Sequence, residues 1–164
     1  KTRFLQKWPN HTEILVYGDK NDSQFGSNVH YCGVFEQEEL VRRMEKNSFG
    51  LAWDDKLPDG GDYQQYTKYN APHKISLYLS LGIPVIVWKE AAIAEMVQKL
   101  ELGITINAIE DIDHQLSELT DEELLRIKNN VLSFSCLLKS GIFTRTALMD
   151  SEVKILLSKG ASQA

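Results

Sequence analysis

The sequence predicts an α/β domain built on a doubly wound parallel sheet, and three observations lead there. Short β-branched runs alternate with amphipathic helical stretches along the chain, the pattern of right-handed βαβ units with helices on both sheet faces. The run Val85-Ile86-Val87-Trp88 is short, continuous and apolar, as a strand covered on both faces must be. It lies between two helix signals, so residues 69–97 read as helix, tight turn, buried strand and second helix. In sheets of this kind ligands bind beyond the carboxyl ends of the strands.

Composition agrees and removes several functions. At 164 residues, with 43% hydrophobic and 25% charged residues, the chain is an ordinary globular domain with enough length for a core. Its net charge of −5 argues against a nucleic-acid partner, which needs clustered Lys and Arg. No run of about 18 apolar residues exists, so no membrane span is expected. The opening Lys1-Thr2-Arg3-Phe4-Leu5 has neither Met nor a signal-peptide core, and a fragment is expected. Cys32 and Cys136 lack metal-type spacing and read as two buried thiols of a reducing compartment.

In chain order, Phe4, Leu5 and Trp8 give a short helical face that stops at Pro9. Ile14-Leu15-Val16-Tyr17-Gly18 and residues 29–35 are strands, separated by a polar loop. A helix over 36–46 has its acids first and Arg42, Arg43 and Lys46 later, as the helix dipole favours, with Leu40, Val41 and Met44 as its buried stripe. Phe49-Gly50-Leu51-Ala52-Trp53 is a third strand, and residues 54–69 are loop. Asn70 is expected to cap the next helix, with Pro72 in its first turn and Gly82 as a left-handed C-terminal cap. After the Val85 strand come a helix over 91–100, a strand at Ile104-Thr105-Ile106, and a helix opened by the capping box Thr120-Asp121-Glu122-Glu123. Leu124, Ile127, Val131, Phe134 and Leu138 form that helix's apolar face, Gly141 breaks it, and a last helix covers 143–157. The strand signals at Ile14, Val29, Phe49, Val85 and Ile104 are expected to form one parallel sheet.

The loops after Gly18, Phe35, Trp53 and Trp88 then open on one edge, together with two helix starts, at 70–74 and at 90–92. Each helix start offers free N–H groups and partial positive charge, the make-up of a phosphate or diphosphate site. Lys74 adds a cation in a first turn, where it opposes the helix dipole unless an anion is bound; the plain alternative is a solvated lysine. His73 reads either as a second phosphate donor or general acid, or as a side chain packed on Tyr69. Ala91-Ala92-Ile93 lets a ligand approach the backbone closely, although helix propensity alone explains it. Glu95 can accept from sugar hydroxyls or stand as an exposed helix acid. Asp54 reads as a turn residue, a ribose or base contact, or a phosphate acceptor. Asp111-Ile112-Asp113 has an acid-x-acid pattern that can hold a divalent ion, but among so many acids it reads as a solvated loop.

Pro72-His73-Lys74, Gly82-Ile83-Pro84-Val85-Ile86 and Ala91-Ala92-Ile93-Ala94-Glu95-Met96-Val97 resemble the C-terminal, nucleotide-sugar-binding half of GT-B glycosyltransferases. One departure is that the ribose-binding acid many such enzymes place three residues after the lysine is Leu77 here. A narrower resemblance spans nearly the whole chain. Residues Asn70 to Leu79, Pro84 to Trp88, Phe49-Gly50-Leu51 with Trp53-Asp54, and Asn130-Val131 with Gly141, Phe143 and Thr144 resemble the bacterial galactofuranosyltransferase and streptococcal adhesin glucosyltransferase group.

That resemblance implies a Rossmann-like domain over residues 1–157 with a frayed tail at 158–164. It implies a UDP-hexose donor, a glycan or glycoprotein acceptor, no metal or other cofactor, homo-oligomers and a bacterial cytoplasmic location. It also implies an N-terminal acceptor domain outside these residues, together with the first strand of this domain, and without that part the chain is expected to bind donor and not turn over. Lys74 is the expected catalytic group, offsetting charge on the leaving diphosphate, with donor contacts from Gly18, Asp54, Tyr69, Asn70, Pro72, His73, Ala91, Ala92 and Glu95. Two rivals remain: a phospho-receiver domain with Asp54 as acceptor and Lys89 as its sensing lysine, and a non-catalytic oligomerisation module.

Overall fold

The computed structural model describes residues 3–19, 24–54 and 66–161, and the turn chemistry expected around Pro58-Asp59-Gly60-Gly61 lies outside them. Among the described residues the elements run, in chain order, β1 Ile14–Tyr17, β2 Val29–Gly33, α1 Gln37–Arg43, β3 Gly50–Ala52, α2 His73–Ser80, β4 Val85–Trp88, α3 Ala94–Lys99, β5 Gly103–Ile106, α4 Ile112–Ser117, α5 Asp121–Lys139 and α6 Ile142–Ala161. Short 3-10 helices precede β1, at Arg3–Lys7, and α4, at Ile109–Asp111.

Every strand pairing is parallel, as expected of a Rossmann-like half, but the strands form two sheets and not one. β1 pairs with β2; β4 lies between β3 and β5. Among the described residues no ladder joins β1 to β3, and side chains of both strands face a cleft of about 540 Å³.

The core is built around β4, whose four residues are all buried. Val85 and Val87 pack on one face with Ile75 and Leu79 of α2, Val97 of α3, and Ile127, Val131 and Phe134 of α5. Ile86 and Trp88 pack on the other face with Trp53, Ile106, Ile109 and Ile112, where Phe4 and Trp8 also settle. The period-2 alternation of a strand explains how one apolar run serves both layers.

α2 ends as expected. Gly82 takes φ +78°, its N–H donates to Leu79 O at 3.1 Å and that of Ile83 to Tyr78 O at 3.0 Å, the paired bonds of a Schellman cap. α5 begins with the expected capping box, Glu123 N–H donating to Thr120 Oγ1 at 3.2 Å and Thr120 N–H to Glu123 Oε2 at 2.9 Å. Ser135 Oγ then donates to Ser80 O at 2.6 Å, tying α5 to the end of α2.

Other expectations are corrected. Asn70 does not cap α2: the residue before a proline is pushed out of helical geometry, so Ala71 stays outside, Pro72 is the cap and Asn70 Nδ2 donates to Tyr66 Oη at 2.5 Å. The next helix begins at Ala94 and not near Ala91; before it the chain turns, Ala91 N–H donating to Trp88 O at 3.1 Å and Ala94 N–H to Ala91 O at 2.8 Å. Glu101, not a glycine, takes the left-handed position after that helix, at φ 48°, and its carboxylate receives Arg126 Nε at 3.0 Å and Asn130 Nδ2 at 3.2 Å. α1 stops at Arg43 and buries no residue, and Leu40, Val41 and Met44 of the expected stripe are half-exposed. α4 falls in what read as loop, and α6 spans Ile142–Ala161 where a helix over 143–157 was expected. Both cysteines are free thiols, Cys32 half-buried and Cys136 exposed, so neither is the buried thiol expected.

Gly50 lets α2 lie close on β3, since a Cβ there would overlap the Tyr78 ring. Gly50→Ala is therefore expected to destabilise the fold by about 1–3 kcal/mol through overpacking. Urea unfolding of the two chains measures it, and an unchanged midpoint would show that Tyr78 can move aside.

Candidate functional site

The carboxyl edge of β3 and β4 collects most of the expected residues. β3 runs out through Trp53 into Asp54, which is only 5% exposed. α2 starts above it, and Lys74, in its first turn, reaches back so that Nζ donates to Trp53 O at 3.2 Å. That bond holds a cation between the end of a strand and the start of a helix, whose first amides point outward without intrahelical acceptors. His73 and Asn70 are exposed beside it, and Tyr69 is 85% exposed.

The turn after β4 forms the other wall. Ala91 N–H donates to Trp88 O at 3.1 Å and Ala92 N–H to Thr67 O at 2.9 Å, so these two amides are engaged within the protein and are not the free donors that a helix start would give. The same Thr67 contact pulls the 66–70 segment against this turn. Lys68 Nζ sits 5.6 Å from the centre of the Trp88 ring and 3.3 Å from Glu90 Oε2. Sequence reasoning missed Thr67 and Lys68; the only signal was a polar, aromatic run before Asn70.

Glu95 stands apart from this cluster in its bonding. It is exposed and receives Lys99 Nζ at 2.6 Å, and that hydrogen bond holds its carboxyl below the ordinary range. Gly18 follows β1 in the smaller sheet, with φ +134° and its N–H on Gly33 O at 3.0 Å. Its neighbour Tyr17 lines the same cleft as Lys74.

Asp111 and Asp113 are structural acceptors. Asp111 Oδ2 takes the N–H groups of Asn107 and Ala108 at 3.1 and 3.0 Å. Asp113 takes His11 N–H at 2.6 Å, Thr12 N–H at 3.0 Å and Thr12 Oγ1 at 2.6 Å, fastening the segment before β1 to the start of α4. Partial burial pushes the Asp113 carboxyl up, but the bonds from Thr12 and His11 outweigh it and leave it below its ordinary value.

The described residues thus form a parallel α/β, Rossmann-like half with Lys74 at a helix start on the carboxyl edge of β3 and β4. The chain belongs to the family of Glucosyltransferase 3-like C-terminal domains, whose model matches residues 1–151. It is 32% identical over 152 residues to Glucosyltransferase 3 of Streptococcus gordonii, covering 93% of this chain and 45% of that protein. Glucosyltransferase 3 of Streptococcus parasanguinis is 30% identical over 149 residues, covering 90% of this chain and 43% of the relative. Beta-1,6-galactofuranosyltransferase WbbI of Escherichia coli (strain K12) is 30% identical over 124 residues, covering 74% and 38%. The chain thus spans less than half the length of each of these relatives. Among the described residues no helix is long and apolar enough to cross a membrane.

The Asp113 contacts set a pH dependence. A carboxyl held below its unfolded pKa stabilises the fold fully above that value, about 3.9, and loses the contribution as pH falls through the folded value. Asp113→Asn is expected to cost about 1 kcal/mol between pH 5 and 8, the partial exposure of the site keeping it small, and progressively less below about pH 4. Thermal unfolding of both chains from pH 3 to 7 measures this, and a gap that stayed constant down to pH 3 would contradict it.

Proposed function

We propose that this chain is the donor-binding half of a GT-B glycosyltransferase that takes a UDP-hexose and passes a glucosyl or galactofuranosyl unit to a glycan or glycoprotein acceptor. The observation that carries the reading is Lys74, held by the Trp53 carbonyl at the mouth of α2. In this reading the diphosphate lies across the helix start, its oxygens meeting Lys74 Nζ and the first amides of α2, with His73 as a further donor. Tyr69, Asn70 and Pro72 border the donor, Gly18 and Asp54 lie toward the nucleoside, and Ala91, Ala92 and Glu95 lie on the opposite wall. As the bond from sugar to diphosphate breaks, negative charge grows on the leaving oxygen, and a positioned cation stabilises it more in the transition state than in the ground state. The family match and the names of the relatives support transfer of a sugar.

Metal independence belongs to the same proposal. Asp111 and Asp113 are occupied by backbone donors, so their charge serves the fold, and diphosphate charge is met by lysine and helix amides. The acceptor site and the general base lie on the remaining part of the full-length protein, a homo-oligomer acting in the bacterial cytoplasm. The exposed apolar residues Phe143, Leu148, Met149, Val153 and Ile155 on α6 suit contact with another polypeptide.

Calorimetry with UDP, UDP-glucose and uridine tests the proposal on this chain. Lys74→Ala is expected to weaken UDP by about tenfold to a hundredfold, the 1.5–3 kcal/mol of a charge-assisted contact, and to leave uridine and the folding midpoint nearly unchanged. EDTA is expected to change nothing. Parent-like UDP affinity in Lys74→Ala would remove the assignment, and no heat with UDP from the parent would favour a non-catalytic module.

A further inference from the structure

We propose that Lys68 is a second phosphate-binding cation of the candidate site, one that exchanges its Glu90 partner for a phosphate of the donor. This role presupposes the donor-binding reading and adds to it a residue that the reading leaves unused. The sheet register gives Lys68 its place. β3 and β4 pair as Gly50↔Val85, Leu51↔Ile86 and Ala52↔Val87, so Trp53 and Trp88 stand at the carboxyl ends of neighbouring strands. Such strands lie about 4.8 Å apart. Lys74 Nζ donates to the Trp53 carbonyl, and Lys68 Nζ lies 5.6 Å from the centre of the Trp88 ring. Two ammonium groups are thus anchored at adjacent strand ends, on the edge where ligands of parallel sheets bind. A diphosphate carries its charge on two linked groups and can meet one cation at each end.

The backbone around Lys68 holds it there. Tyr69 N–H and Asn70 N–H both donate to Tyr66 O, at 3.1 and 2.9 Å, closing a turn that contains Lys68. Ala92 N–H donates to the carbonyl of Thr67, the residue before it, and Thr67 is only 3% exposed. The turn is therefore fastened to the one that follows β4, and the Lys68 side chain leaves it across the ring of a buried tryptophan. A lysine anchored in this way has already given up much of the freedom that a surface lysine loses on binding.

Its partner is of the kind that gives way. Lys68 Nζ is 3.3 Å from Glu90 Oε2, and the two side chains are 36% and 62% exposed. An ion pair so open to water contributes little and is weakened by salt. A phosphate offers more negative charge and more acceptor oxygens than one carboxylate, and hydrogen bonds to it are charge-assisted. The ring contact does not depend on Glu90, so the ammonium keeps its anchor through the exchange.

The two members of the pair give opposite signs, which separates this role from a structural one. If Lys68 and Glu90 only brace the turn, losing either weakens UDP. If Lys68 binds phosphate, Lys68→Gln weakens UDP, while Glu90→Gln removes a competitor and strengthens it. Calorimetry on this chain with UDP and uridine measures both. Lys68→Gln is expected to weaken UDP about tenfold, Lys68→Arg less than about threefold, and Glu90→Gln to tighten it about threefold. Uridine affinity and the urea midpoint are expected to stay unchanged in all three. The fall of UDP affinity with added salt is expected to be shallower in Lys68→Gln than in the parent. Glu90→Gln binding UDP no tighter than the parent, or a loss below about twofold in Lys68→Gln, overturns the proposal. A parent chain that binds no UDP overturns the donor-binding reading and this role together. A parent that binds UDP and weakens in Lys74→Ala, but not in Lys68→Gln, overturns this role alone.

Discussion

The double coverage of β4 is the constraint on which the rest of this structure depends. Four consecutive buried residues leave no polar side to face water, so a layer must close over each surface. α2, α3 and α5 supply one layer, and Trp53, Ile109 and Ile112 with the N-terminal aromatics supply the other. Once β4 is seated, its carboxyl end, the turn after it and the start of α2 are brought to one edge. The place where chemistry can occur is thus a by-product of burying Val85, Ile86, Val87 and Trp88.

At that edge the Trp53 carbonyl accepts from Lys74 Nζ, which restricts the reach of the side chain. The opposite wall is treated differently. Its amides are used internally, through Trp88 and Thr67, which makes the 66–70 segment part of the wall and fixes Lys68 over the Trp88 ring.

Much of this was legible from local chemistry. The β4 run, the glycine cap at Gly82, the capping box at Thr120 and the apolar face of α5 each depend on residues close in sequence, and each is found. What escaped depends on distant partners. Nothing near Ala92 announces that its amide will go to Thr67, and nothing near Asp113 announces His11 and Thr12. Glu101 was hidden for a similar reason: a glutamate in a left-handed position, with its carboxylate met by Arg126 and Asn130 of another helix. The division into two sheets was invisible because strand signals give the number of strands and not which edges meet. Lys74 was singled out because a lysine in a first turn conflicts with the helix dipole, and such conflicts are readable without knowing the fold.

Uniform parallel pairing also governs how the chain must assemble. No strand here can find its neighbour through a tight turn; Val85 meets Gly103 only after α3 has been spanned, and Gly50 meets Val85 only after a much longer excursion. Closing such loops consumes chain entropy before any ladder forms, so registry search is slow compared with a hairpin protein of equal size. Throughout that search the Val85-Ile86-Val87-Trp88 run has two open edges, no charge and high β-propensity, the profile of a segment that sticks to other chains. The strand around which the finished molecule is arranged is the one most in need of shelter while the polypeptide is being made.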